Sequence, residues 1–296
     1  MKLRAALLFV IVVITTSGII RHDVPDEAYI KFAQQPQFDC AGLVTTPQQK
    51  DEDGGGSCVL ISKKYVLTAA HIFIESDTKS DTIEYNGMPM VVYTPINKHV
   101  AEVSKFNFIF DNVPYKAKRV TLHPMYLDSN GNYDIALVEL QKPVKDIDFP
   151  KLNTAFNELN SKVVGVGFGA FCRANLPGEL SSDHLKIAGE NIIDSIGGYT
   201  INNQAAMLYF DFDHPTDTTC CNKMGSPIPE TLEYITAGGD SGCGLFRQKN
   251  EEWELIGICS GGGVNVDQLI KSGYYGQIAS FTRVSTFYNW IQQEMK

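Results

Sequence analysis

Residues 236–246 read TAGGDSGCGLF, with four glycines, Asp240 and Ser241 packed into one short stretch. An ordinary surface turn needs a single glycine, not glycines at 238, 239 and 242 around an acid followed by a serine. Glycine removes the Cβ that would obstruct two backbone N–H groups aimed at one point. A serine hydroxyl is a poor nucleophile until a base takes its proton. The reading of this stretch therefore turns on where the base lies.

Every histidine precedes Ser241: His22, His71, His99, His123, His184 and His214. That excludes the α/β-hydrolase order, in which the histidine follows the serine, and Cys243 stands where its nucleophile elbow needs glycine. His71 closes the apolar run YVLTAAH (65–71), whose alanines leave room for another element beside the imidazole. Taken alone it reads as a partly exposed histidine at a strand end. Asp134 opens DIALVEL (134–140), and an acid at the mouth of a buried strand needs a partner. Taken alone it reads as the turn acid after DSNGNY.

The rest of the chain is mostly short β-branched or aromatic runs bounded by Gly, Pro, Asn or Asp: SCVLI, KYVLTAA, PMVVYT, FNFIF, KRVTL, DIALVEL, KVVGVGF, AMLYFDF, GLFRQ, ELIGICS and QIASFTRV. Such spacing predicts an all-β barrel or sandwich, not a parallel α/β fold. One helix is predicted, in VSTFYNWIQQEMK (284–296), where Val284, Phe287, Tyr288 and Ile291 make an apolar stripe. A break between halves is expected near QKPVKDIDFPKLN (141–153), and QQKDEDGGG (48–56) reads as a hairpin loop.

The 296 residues are 44% hydrophobic and 20% charged, a globular balance, and a net charge of −9 argues against a nucleic-acid binder. MKLRAALLFVIVVITTSG combines Lys2 and Arg4, an apolar run too short to span a bilayer, and small residues Thr16 and Gly18. It reads as a secretory signal peptide over 1–18, with a mature chain 19–296 that is exported and leaves the membrane. Loss of Lys2 and Arg4 takes the charge from −9 to −11. Seven cysteines in an exported chain should mostly pair, with at least one left over. Cys40 with Cys58, and Cys243 with Cys259, flank turns as cross-strand partners would; Cys172 is left for Cys220 or Cys221. DSNGN hints at a calcium loop but no full ligand set follows, so it reads as a turn; the acidic ESDTKSDTIE stretch (75–84) offers calcium ligands but reads first as a solvated loop. No cofactor motif appears, and no metal site is expected.

The order TAAH, DIAL, GDSG on an exported all-β chain resembles the chymotrypsin-like (trypsin-fold) serine proteases. GGGSCVLISKKYVLTAAH, KRVTLHPMY…NYDIALVEL, VGVGFGA (164–170), LIGICSGGG (255–263) and FTRVSTFYNWI resemble successive segments of that family, across nearly the whole mature chain. The resemblance implies two antiparallel six-stranded β-barrels, roughly 30–145 and 150–283, closed by the C-terminal helix. It implies that Ser241 attacks a scissile carbonyl, His71 carries the proton and Asp134 orients the imidazole. The N–H groups of Gly239 and Ser241 would hold the oxyanion. Ser260 would donate to Asp134, and Gly261 and Gly262 would pair with substrate backbone. It further implies that Asp240 pairs with a freshly released N-terminal amine, and Ile19-Ile20 directly follow the expected signal cleavage point, so signal removal itself would activate the chain. IIRHD departs from the family's usual terminus, which carries glycines after the two apolar residues.

Two further departures stand out. The family's disulfide beside its histidine is missing, since Ile72 follows His71 and Gly56 takes the matching upstream place, and Ala237 replaces the cysteine before the GGDS stretch. By residue count, Ile235, Thr236, Gly262 and Ala279 line the primary specificity pocket and suggest an apolar or small side chain there, although Glu233 lies nearby. The expected function is a monomeric secreted serine endopeptidase acting on polypeptides without a cofactor; the alternative is a catalytically idle binding module on the same fold.

Overall fold

The computed structural model describes residues 18–46, 55–85, 88–129, 131–169, 171–174, 185–263 and 274–296. The expected signal peptide, up to residue 17, and most of the 48–56 loop lie outside the described residues.

β1 (Gly18–Ile20) and helix α1 (Asp26–Ala33) lead into a closed six-stranded barrel. Its strands begin with β2 (Ala41–Thr45), β3 (Gly55–Leu60) and β4 (Tyr65–Thr68). The chain then leaves the barrel in a two-stranded ribbon, β5 (Ile74–Tyr85) and β6 (Met88–Val100), and returns as β7 (Asn107–Phe110), β8 (Val113–Leu122) and β9 (Ala136–Leu140). The interior is dry: Val44, Cys58, Leu60, Val66, Phe108 and Val138 have no exposed surface. The stretch 75–84 is thus strand, not loop. It is a 12-residue strand, paired antiparallel with the more apolar β6, whose charges hide it from a reading by period.

The second half is one eight-stranded sheet. It comprises β10 (Lys151–Leu152), β11 (Lys162–Gly167), β13 (Ile187–Ile192), β14 (Ser195–Ile201), β15 (Gln204–Asp211), β17 (Gly244–Lys249), β18 (Glu252–Gly263) and β19 (Ile278–Arg283). It has two strands more than the expected six, because β10 adds alongside β18 and the glycine-bearing β14 extends the edge beyond β15. A third, three-stranded sheet sets β1 between β12 (Phe171–Arg173) and β16 (Tyr234–Ile235). Helix α2 (Val284–Glu294) buries Val284, Phe287 and Ile291 of the stripe read from the sequence, while Tyr288 is only half-buried. The fold is all-β with a C-terminal helix. α1 went unread because eight residues with one buried tyrosine and one buried alanine give too little period.

A buried polar clamp ties strands of the second half to the start of α2. Glu158 and Arg283 are both buried and form an ion pair at 2.5 Å, with Ser285 Oγ donating to Glu158 Oε1 at 2.7 Å. Arg247 is buried beside it and bonds Asn157, Ser161, Asn153 and Glu254. Such pairs are kept only when every donor is satisfied.

The cysteines depart from the expected pairing. The structure has one disulfide, between Cys220 and Cys221, while Cys40, Cys58, Cys172, Cys243 and Cys259 are buried thiols. Cys40 does not face Cys58: Leu60 N–H donates to Cys40 O, and Cys58 stands opposite Gly42, so the two lie diagonally. Cys172 sits beside Ile19 in the three-stranded sheet. Cys243 and Cys259 do face each other, with Cys259 N–H donating to Cys243 O at 2.9 Å, yet both remain thiols.

Candidate active site

Three segments from both halves meet at the barrel junction. β4 ends at Thr68, and the chain turns through a 3-10 segment, Ala70–Phe73, that presents His71. Asp134 precedes β9, and Ser241 precedes β17. Ser241 Oγ lies 2.7 Å from His71 Nε2, and His71 Nδ1 lies 2.8 Å from Asp134 Oδ2. The second carboxylate oxygen accepts the backbone N–H of His71 at 2.9 Å. Ser260 Oγ donates to Asp134 Oδ2 at 2.6 Å, and Thr282 Oγ1 donates to the Asp134 carbonyl at 2.8 Å. Asp134 is 4% exposed, so its charge is screened by bonds, not by water. The His71 side chain keeps 36% of its surface open, the face a ligand would approach. Burial pulls the His71 pKa down, but the hydrogen bond and charge of Asp134 outweigh it and leave the pKa raised.

The turn before the serine is pinned from the first barrel. Ser57 N–H donates to Ser241 O at 2.7 Å, and Ser57 Oγ donates to Gly239 O at 3.1 Å while accepting the Phe168 N–H at 2.9 Å. Gly239 and Gly242 have φ of +87° and +81°. A Cβ at Gly242 would strike Thr68 Oγ1 and Ser57 O, so this close approach of barrels requires glycine. Among the described residues, neither the Gly239 nor the Ser241 N–H is spent on a hydrogen bond. Ser57 and Thr282 went unread in the sequence; a serine after three glycines and a threonine inside a strand carry no local signature.

Asp240 is fully buried. Its oxygens accept the N–H groups of Gly169 (3.0 Å) and Ala237 (3.1 Å), and it packs over Gly167 and Gly169. Burial raises its pKa to about 7 against the pull of those two bonds, and no cationic side chain among the described residues contacts it. Ile19, the expected partner, is buried in β1 opposite Ile235.

Of the expected pocket residues, Ile235, Thr236 and Ala279 are buried, and Thr236 Oγ1 has no partner. Gly262 stands opposite Ala279, and Gly261 opposite Ser280. A Cβ added at Gly261 would meet nothing, so that backbone borders open space. Glu233 does not join them. It is held by Glu230 N–H, Asp213 N–H and Asn191 Nδ2, beneath the 214–232 segment. No group of three or more metal-ligating side chains occurs among the described residues.

The family model described as Trypsin matches residues 33–291, and the chain belongs to that family. It is 26% identical over 78% of its length to human transmembrane protease serine 11B, covering 47% of that protein. It is 25% identical over 80% of its length to the rat atrial natriuretic peptide-converting enzyme, covering 18% of it. It is 26% identical over 81% of its length to Limulus clotting factor C of Carcinoscorpius rotundicauda, covering 22% of it. The chain thus spans less than half the length of these relatives. Among its described residues no helix is long and apolar enough to cross a membrane.

Proposed function

We propose that the chain is an exported serine endopeptidase working through Ser241, His71 and Asp134. The observation that carries this is the unbroken relay Ser241–His71–Asp134, with links of 2.7 and 2.8 Å. A binding module would have no use for such spacing. Ser241 Oγ attacks the scissile carbonyl while its proton passes to His71 Nε2. The carbonyl oxygen, now negative, accepts the unspent N–H groups of Gly239 and Ser241. His71 returns the proton to the departing amine, leaving an acyl ester on Ser241. Water, deprotonated by the same nitrogen, then cleaves that ester. Asp134 holds Nδ1–H throughout, so the imidazole presents Nε2 as a base. Gly261 and Gly262 pair with the substrate as an added strand, and Ile235, Thr236 and Ala279 favour an apolar or small side chain before the cleaved bond.

Activation belongs to the same reading. Removal of residues 1–18 by signal peptidase frees the Ile19 amine to pair with Asp240. A buried carboxylate flanked only by two N–H donors supports the need for such a cation. Turnover of a peptide library by the parent and by Ser241→Ala tests the reading. A fall in kcat of about 10⁶ is expected on losing the nucleophile. Equal turnover by both would end it.

A further inference from the structure

Among the described residues the ribbon β5–β6 pairs with no other strand, and it grows directly from the turn that carries His71. Its root is fixed. Ala101 N–H donates to Phe73 O at 2.8 Å, Phe73 is buried against Phe106, and Glu75 is held by Lys105 and His99. Beyond that root the ribbon stands in solvent, with Ile83 43% and Ile96 37% exposed. A lone two-stranded ribbon with exposed apolar side chains is a marginal structure unless something else uses it.

Its two edges differ. Pro89 stands opposite Glu84 and Pro95 opposite Thr78. Tyr85 faces Met88 as the closing, bonded pair, and bonded and non-bonded pairs alternate from it, so the row that seats the prolines is non-bonded and its main chain faces outward. On β6 that outward row has lost two donors, which blunts the edge. On β5 the matching row, Thr78, Ser80, Thr82 and Glu84, keeps every N–H and C=O, and none bonds elsewhere among the described residues. β5 also carries four carboxylates (Glu75, Asp77, Asp81, Glu84) against one lysine, Lys79.

Resting on the peptidase reading, we infer that the β5 edge is a docking rail for the substrate polypeptide. An extended, lysine- or arginine-bearing segment of the substrate, outside the residues held in the cleft, adds to β5 as a third strand. Its backbone bonds the row from Thr78 to Glu84, and its cations meet Asp77 and Asp81. The occupant is a substrate segment because the ribbon is rooted three residues from His71, so chain bound there is tethered beside the site of cleavage.

Binding is read in Ser241→Ala, so a failure of docking is distinguishable from a failure of hydrolysis. The probes are two labelled 20-residue peptides that alternate threonine with lysine or with glutamate, followed by fluorescence anisotropy. The lysine peptide is expected to bind at least tenfold tighter than the glutamate peptide. Ser80→Pro with Thr82→Pro removes two outward donors while sparing the ladder, and is expected to weaken the lysine peptide at least tenfold. Asp77→Asn with Asp81→Asn, which leaves the backbone untouched, is expected to abolish the preference for lysine. In the active chain the proline pair should lower kcat/KM on a long lysine-rich polypeptide, leaving a short fluorogenic peptide within twofold. Unchanged affinity in both double variants would overturn the inference. So would a proline pair that altered only self-association, since that would assign the edge to a second copy of the chain.

Discussion

Ser260 Oγ donates to Asp134 Oδ2 at 2.6 Å, the same oxygen that faces His71 Nδ1. The carboxylate is therefore held from two sides, and it in turn holds the imidazole. Its charge raises the His71 pKa above the ordinary 6.5. Activity needs the neutral ring, so kcat/KM should rise as pH climbs through that raised value. The stabilising effect of the imidazolium–Asp134 pair runs the other way. It is complete below the unfolded histidine pKa and fades as pH rises through the folded one. Asp134→Asn should cost about 10⁴ in kcat by presenting the wrong tautomer. A pH–rate profile of the parent and the variant checks both statements.

The turn that carries the proposed oxyanion donors is held by Ser57, which bridges Gly239 O and Phe168 N–H. Ser57→Ala removes both of these hydrogen bonds, and the one at the turn is worth about 1 kcal/mol. The expected result is roughly a fivefold loss in kcat with KM little changed. A loss confined to KM would place Ser57 in ground-state binding instead.

On the proposed reading, Asp240 would link activity to the free amine at Ile19. Its burial holds the carboxyl near a pKa of about 7 while the amine is absent. Pairing should pull that value down, and the pair should dissolve once the amine loses its proton, above a reference pKa of about 7.7–8.0. Activity should therefore fall on the alkaline side, and Asp240→Asn should be nearly inactive at every pH. Mass spectrometry of the mature terminus, with a variant carrying one extra residue before Ile19, checks the coupling; full activity in that variant would break it.

Buried Asp211, Asp213 and Glu233 form a second acidic group with half-buried Asp194. Burial raises Asp194 and Asp213 to about 7 and Glu233 to about 9, with neighbouring carboxylates adding to the effect. Raised acids stabilise the fold when neutral. That contribution is full below the ordinary carboxylate range and is lost as pH rises through about 7 and then about 9. Asp213 Oδ1 has no partner. Asp213→Asn should raise Tm above pH 7 and leave it nearly unchanged at pH 4, as a thermal melt series would reveal.

Glu158 and Arg283 are 0% and 3% exposed, so removing one charge strands the other. Glu158→Gln should destabilise by about 3–5 kcal/mol, read as a lower midpoint in denaturant.

Much of this site was legible because its chemistry is local in sequence. GDSG, TAAH and DIAL each carry one member of the hydrogen-bonded Ser241–His71–Asp134 cluster beside small or apolar neighbours. What was hidden is what only three dimensions create. Ser57 reaches Gly239 across 182 residues, with nothing in GGGS to announce it. The cysteines misled because symmetric spacing about a turn does not decide whether two residues face each other or lie diagonally, as Cys40 and Cys58 do. The strand β5 was hidden by its charges, because a ribbon solvated on both faces lacks the burial that writes a period into sequence.

The most direct measurement is reaction with a fluorophosphonate, followed by peptide mapping of the adduct. The relay between His71 and Ser241 predicts a single stoichiometric label on Ser241, absent in Ser241→Ala and strongly slowed in His71→Ala. A folded, processed chain that takes up no label, or takes it up elsewhere, would contradict the assignment of Ser241 as an activated nucleophile.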